Sequence, residues 1–136
     1  MSSKLATRQT ILLVDDEQDI LLELAEMLEL EGYRCIPANS VAQAFEQLSQ
    51  HPDIALIITD LRMPEESGLR LIQQLRARSS RKQLPVIVAS GHADMNDVID
   101  TMRLQAVDFF IKPIYHERLL ESIERLFPST LLHLAK

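Results

Sequence analysis

Cysteine is nearly absent: Cys35 is the only one in 136 residues, so no disulfide can form within the chain, which suits a reducing cytoplasm. Glycine is scarce too, at positions 32, 68 and 91 only. Neither GxGxxG nor a GxxxxGK loop followed by Ser or Thr can be written with them, which excludes the usual nucleotide-binding loops. Cations are outnumbered, with 14 Lys and Arg facing 20 Asp and Glu for a net charge of −6. A domain that grips DNA or RNA must neutralise phosphates, so direct nucleic-acid binding is not expected. No apolar run approaches the roughly 18 residues of a membrane span, so no membrane segment is expected either. Met1–Thr10 is mixed and polar, and Ile11–Val14 is too short and too soon followed by acids for a signal peptide. What is there is an ordinary globular composition, 46% apolar and 25% charged, over the length of one domain.

Five short apolar runs alternate with five amphipathic ones. Ile11–Val14, Ile54–Thr59 and Pro85–Ala89 are continuous enough to predict buried strands, with a weaker strand at Tyr33–Pro37 and a fifth at Val107–Ile111. Helical spacing links Ile20, Leu21, Leu24 and Leu28 up to a stop at Gly32. It recurs in Ala44, Phe45 and Leu48 behind a Ser40-to-Gln43 capping box, and in Leu69, Ile72 and Leu75 after the Met63-Pro64 turn. Val98, Ile99 and Met102 follow a cap at Asp94, and Leu119, Leu120, Ile123 and Leu126 make the last helix. This alternation predicts an α/β fold, a doubly wound five-stranded parallel sheet with five helices on its faces and right-handed crossovers. The domain spans 10–127. Residues 1–9 read as a tail, and 128–136 as a tail or the start of a linker, with Leu131, Leu132 and Leu134 able to extend the last helix or touch a partner.

Ligands of open parallel sheets bind beyond the carboxyl ends of the strands. Those ends carry Asp15, Asp16 and Glu17 on the first strand, Asp60 on the third, Ser90 on the fourth and Lys112 with Pro113 on the fifth. Taken singly, each has a bland role: Asp15 and Asp16 as helix caps, Ser90 as a turn residue, Lys112 as a surface lysine, Pro113 as a terminator; a cap suits Asp60 less, because Met63-Pro64 breaks the chain before any helix can use it. Together they are unusual, because carboxylates about 4 Å apart repel by on the order of 1–4 kcal/mol, which should raise at least one carboxylate pKa. A cation relieves that repulsion, and oxygen-only ligands at a hydrated edge suit Mg²⁺. A metal beside a carboxylate, with an ammonium and a hydroxyl opposite, is the equipment of phosphoryl transfer.

Four segments in order complete the picture: Ile11-Leu-Leu-Val-Asp15-Asp16-Glu17, Ile57-Ile-Thr-Asp60-Leu-Arg-Met63-Pro64, Val86-Ile-Val-Ala-Ser90-Gly91-His92 and Asp108-Phe-Phe-Ile-Lys112-Pro113. They resemble the signature segments of bacterial two-component response-regulator receiver domains, over about Thr10 to Phe127. Ser90–Asp94 and Ala106–Phe109 are most similar to receivers of the nitrogen-fixation and LuxR-output type. The resemblance implies a flavodoxin-like receiver fold. It implies that Asp60 takes a phosphoryl group from a histidine kinase or phosphotransfer protein. Asp16 then holds Mg²⁺ directly and Asp15 partly through water, with Asp60 and the Arg62 carbonyl as further ligands. Lys112 binds the phosphoryl group, Ser90 hydrogen-bonds it, and Phe109 is an aromatic switch that follows Ser90. Pro113 follows a cis peptide. Arg62 and His92 either flank the acceptor and tune phosphoryl lifetime or face solvent.

The same resemblance implies that the face of the fourth helix, fifth strand and fifth helix changes on phosphorylation. That face would engage an output domain or effector protein and support a homodimer. The domain is then regulatory rather than an enzyme proper, with intrinsic Mg²⁺-dependent self-phosphorylation and dephosphorylation. One departure stands out: the family usually carries glycine before Ala106, and this chain has Gln105, which is strained if that position needs a positive φ. Two other classes compete. A dehalogenase-like phosphohydrolase places a second Asp two residues after its nucleophile, where this chain has Arg62. A pure interaction module would not need the complete set of acids, hydroxyl and lysine. Cys35 reads as a small apolar strand residue, and His51 and His133 lack ligand-like spacing.

Overall fold

The computed structural model describes residues 8–78, 81, 83–92 and 94–128. Ten elements alternate: β1 (Thr10–Val14), α1 (Gln18–Leu30), β2 (Arg34–Ala38), α2 (Val41–Gln50), β3 (Ile54–Asp60), α3 (Gly68–Ala77), β4 (Val86–Ser90), α4 (Met95–Arg103), β5 (Asp108–Ile111) and α5 (His116–Leu126). All strands are parallel, in the order β2-β1-β3-β4-β5, which is the doubly wound sheet predicted. The strand residues alternate between two cores, as the two-residue strand period requires. Leu12 and Val14 join Ile57, Val86 and Val88 under α2 and α3, whereas Ile11 and Leu13 join Leu56, Ile58 and Ile87 under α1 and α5. The proposed role of Leu131, Leu132 and Leu134 lies outside the described residues. No helix among the described residues is long and apolar enough to cross a membrane.

Local chemistry sets the element ends. α1 closes with Gly32 at φ +96°, where Gly32 N–H donates to Glu29 O and Tyr33 N–H to Leu28 O. α4 closes with the same pair of bonds, Gln105 N–H to Met102 O and Ala106 N–H to Thr101 O, but with a glutamine at φ +65°. The strain expected at Gln105 is therefore present, and the Arg76 guanidinium braces the turn by donating to Leu104 O at 2.8 Å and Gln105 O at 3.3 Å. The capping box of α2 is displaced: Ser40 accepts from Gln43 N–H, but the Gln43 side chain accepts from Asn39 N–H at 2.6 Å rather than from Ser40.

α4 forms where the spacing predicts it, capped by Asp94. Of its periodic apolar residues Val98 is half-buried, whereas Ile99 is 40% and Met102 42% exposed, and Thr101 is the one buried residue of the helix. Periodicity marks the residues that share the stripe, but no element among the described residues covers it. Arg8 and Gln9, assigned to the tail on sequence, are bonded to the domain: Arg8 N–H donates to Gly32 O, its guanidinium holds Tyr33 and Glu124, and Gln9 O accepts from Arg34 N–H.

Candidate functional site

The sheet register brings the unusual residues together. Val14 of β1 lies beside Thr59 of β3, so Asp15 and Asp60 leave adjacent strands at the same level. Asp60 lies beside Ala89 and Ser90 beside Ile111, which puts Ser90 and Lys112 at the next two strand ends. Asp15, Asp16 and Asp60 each present an oxygen within 4.8 Å of the others. Lys112 Nζ donates to Asp15 Oδ2 at 2.6 Å and stands 3.5 Å from Asp60 Oδ2. The Lys112–Pro113 peptide is cis, as expected. Asp15 and Asp60 are buried, whereas Asp16 is exposed.

The first strand end is not a helix cap. The N-cap position of α1 is Glu17, and its side chain makes no capping bond. Asp15 Oδ1 accepts from Glu17 N–H at 2.9 Å, a local turn bond that aims the other oxygen at Lys112. The Asp60 carboxyl is raised above its ordinary range. Burial is the main cause, the Lys112 ammonium opposes it, and the Asp15 charge adds to it. The direction agrees with the sequence expectation, but repulsion between carboxylates is not the leading cause. Burial alone would lower the Lys112 ammonium, yet the Asp15 hydrogen bond and the charges of Asp15 and Asp60 outweigh it and raise it.

Ser90 is fully buried, and its hydroxyl donates to His92 O at 2.8 Å. His92 enters this network through its backbone. Phe109 is half-buried and packs against the core under α2 and α3. Arg62 N–H lies 3.4 Å from Asp60 Oδ1, but its side chain crosses to α4, where Nη2 meets Asp97 Oδ2 at 2.6 Å. The structure thus assembles Asp15, Asp16, Asp60 and Lys112, leaves Ser90 on the next strand end, and sends Arg62 away from the acids. Cys35 lies in β2, where burial and then Glu29 push its thiol up to about 12, so it is a poor nucleophile.

Two contributors were not singled out from the sequence. A Cβ on Gly68 would stand 2.2 Å from the carbonyl oxygen of Asp60, so only glycine lets α3 start against the strand that carries Asp60. Gly68 N–H also donates to Leu61 O at 2.8 Å, fixing the return of that loop. The scarcity of glycine was the available signal. The other is Asp97, whose partner is 35 residues away and carries no local signature.

The family model described as "Response regulator receiver domain" matches residues 11–124. Among curated relatives, the "Two-component response regulator PprB" of Pseudomonas aeruginosa is 35% identical over 118 residues, which is 86% of this chain and 43% of that protein. The "Transcriptional regulatory protein FixJ" of Rhizobium meliloti is 36% identical over 121 residues, 88% of this chain and 57% of that protein. The chain spans about half the length of these two relatives. A solved receiver protein from Pseudomonas putida superposes with TM-score 0.84 at 38% identity, covering 88% of this chain and 98% of that one. The chemotaxis protein CheY4 of Vibrio cholerae, 23% identical, shares the fold with TM-score 0.81 over 90% of this chain and 100% of that one.

Proposed function

The chain belongs to the response regulator receiver domain family, and on that footing we propose that it is a signalling switch operated by phosphorylation of Asp60. The observation that carries this reading is one buried carboxylate with two others within 4.8 Å and an ammonium 3.5 Å away. An Asp60 oxygen attacks the phosphorus of the donor, the bond to the leaving group breaks, and that group departs with the electron pair. Lys112 offsets the charge gathering on the phosphoryl oxygens. Ser90 turns its hydroxyl from His92 O to a phosphoryl oxygen, and Phe109 follows into the space vacated.

The donor set fits a hard divalent cation: three carboxylate oxygens and no nitrogen or sulfur, one of the three aspartates exposed to water. Asp15, Asp16, Asp60 and the Arg62 carbonyl would hold Mg²⁺, which would supply charge neutralisation for the transferred group. Lifetime tuning by Arg62 and His92 belongs to the same reading. A histidine kinase or phosphotransfer protein is the donor, in the cytoplasm. The output face is that of α4, β5 and α5, on or beside which Met95, Ile99, Met102, Val107, Ile111 and Tyr115 are exposed apolar residues suited to an output domain, an effector or a second copy. The domain itself is a regulator that loads and loses its own phosphate.

Intact-mass measurement tests the reading. Incubation with acetyl phosphate and Mg²⁺ should add one phosphate to the wild type, and none to Asp60→Asn or to the wild type in chelator. Equal incorporation in both proteins would remove Asp60 from its role.

A further inference from the structure

Among the helices, α4 is held by few apolar contacts. Its one buried residue is Thr101, whose hydroxyl has no hydrogen-bond partner among the described residues. Burial of an apolar face normally seats a helix, so polar ties must place this one. Two arginines from other elements grip its ends. Arg76 of α3 holds the carbonyls of Leu104 and Gln105 just past its C-terminus. Arg62, from the loop after β3, holds its first turn.

The N-terminal tie has several linked parts. Arg62 Nη2 donates to Asp97 Oδ2 at 2.6 Å and Arg62 Nε to His92 O at 3.4 Å. The same Asp97 oxygen accepts from Asp94 N–H at 3.3 Å, and Asp97 N–H donates to Asp94 Oδ1 at 2.9 Å, closing the capping box of α4. His92 O is also the acceptor of the Ser90 hydroxyl. One guanidinium therefore touches the cap of α4 and the carbonyl that holds Ser90, and its residue lies two positions after Asp60.

We propose that Arg62 is a positioning residue with two alternative partners, fastening α4 through Asp97 while Asp60 is free and moving to the phosphoryl oxygens once Asp60 is modified. The inference rests on Asp60 being the acceptor. The pair with Asp97 is half exposed on the arginine side, so it is readily exchanged. A phosphoryl group brings about two negative charges and three acceptor oxygens, which a guanidinium fork matches better than a single carboxylate oxygen. Ser90 is drawn to the same group and releases His92 O. The tie from Arg62 to the first turn of α4 and the Ser90 bond to the loop that leads into it are then lost in one chemical event. The helix keeps its own capping box, so it is freed to shift as a unit rather than to unravel.

Amide NMR spectra and hydrogen exchange of α4 test this in the wild type, Arg62→Met and Asp97→Asn, with and without beryllofluoride and Mg²⁺. Asp97→Asn keeps a side-chain oxygen for Asp94 N–H, so it weakens the tie without removing the cap. Without the phosphate mimic, both variants should displace α4 amides toward the mimic-bound wild-type positions and speed their exchange about two- to five-fold. Variant α4 amides identical to free wild type in both readouts would overturn the fastening. The Arg62 Nε resonance of wild type should move on adding the mimic, and a stationary resonance in a protein whose other site amides respond would overturn the exchange of partners. A wild type with no response at all would instead refute the acceptor reading, and the mimic-free exchange comparison would still decide whether Arg62 fastens α4.

Discussion

Replacing Asp60 with asparagine should stabilise the metal-free domain. With an effective dielectric of about 20, the Asp15 carboxylate within 4.8 Å repels Asp60 by about 3–4 kcal/mol, and the Lys112 ammonium at 3.5 Å attracts it by about 5 kcal/mol. Asp16 is exposed and adds a screened repulsion of about 1 kcal/mol. The charges nearly cancel, so burial decides the sign, in keeping with the raised Asp60 carboxyl. Asparagine keeps an oxygen for Arg62 N–H and leaves Lys112 paired with Asp15 at 2.6 Å, so no buried charge is orphaned. The expected gain is about 1 kcal/mol at neutral pH, or about 3–4 °C in Tm for a domain of this size. The pH dependence follows from the direction of the shift. Because the folded carboxyl holds its proton to higher pH than the unfolded one, the stability linked to Asp60 is full below the ordinary carboxylate range and declines as pH rises through its raised pKa. Wild type and variant should therefore converge below about pH 3 and separate as pH rises toward neutrality. Millimolar Mg²⁺ should raise the Tm of wild type more than that of Asp60→Asn. Thermal melting in chelator and in Mg²⁺ across that range is the assay. A variant that melts lower in chelator, a gap that ignores pH, or equal gains from Mg²⁺ would refute the reasoning.

Gly68→Ala should destabilise the domain by about 1–3 kcal/mol, because its Cβ meets backbone that cannot yield cheaply, and it should also slow phosphate incorporation. Melting and intact-mass time courses would read both, and an unchanged Tm would show that the loop gives way freely. Gln105→Gly should stabilise by about 0.5–1 kcal/mol, the relief of a left-handed glutamine exceeding the added freedom of the unfolded chain. A lower denaturation midpoint for Gln105→Gly would mean that the brace from Arg76 already removes the strain.

Much of this architecture is legible in the residues themselves. The continuous runs of β1, β3 and β4 could only be strands buried on both faces, and the residues that end them are the polar ones that meet at the site. Gly32 announced a left-handed helix end, and it adopts one. Periodicity did less well at α4, because a stripe at Val98, Ile99 and Met102 says which residues share a face, not whether another element covers it. Arg62 was placed near the acceptor by its sequence neighbours, yet a long side chain goes where its charge partner is, and Asp97 is 35 residues on. Gly68 offered only its rarity as a signal, since a close approach is visible only once the Asp60 carbonyl has a position.

The sheet order has a consequence for partly opened molecules. Asp15 and Asp16 follow β1 and Asp60 ends β3, strands flanked on both sides and buried along nearly their whole length. Lys112 follows β5, a short edge strand of half-buried and exposed residues. Sub-global opening begins where burial is least, so β5 should peel away before β1 and β3 separate. Such a molecule retains the acidic notch but has lost the ammonium that balances it, and it repels an anionic phosphoryl donor. On the proposed function, breathing of β5 would interrupt phosphorylation before the domain unfolds, and a partner docked on β5 that quiets the motion would raise the fraction of molecules able to react.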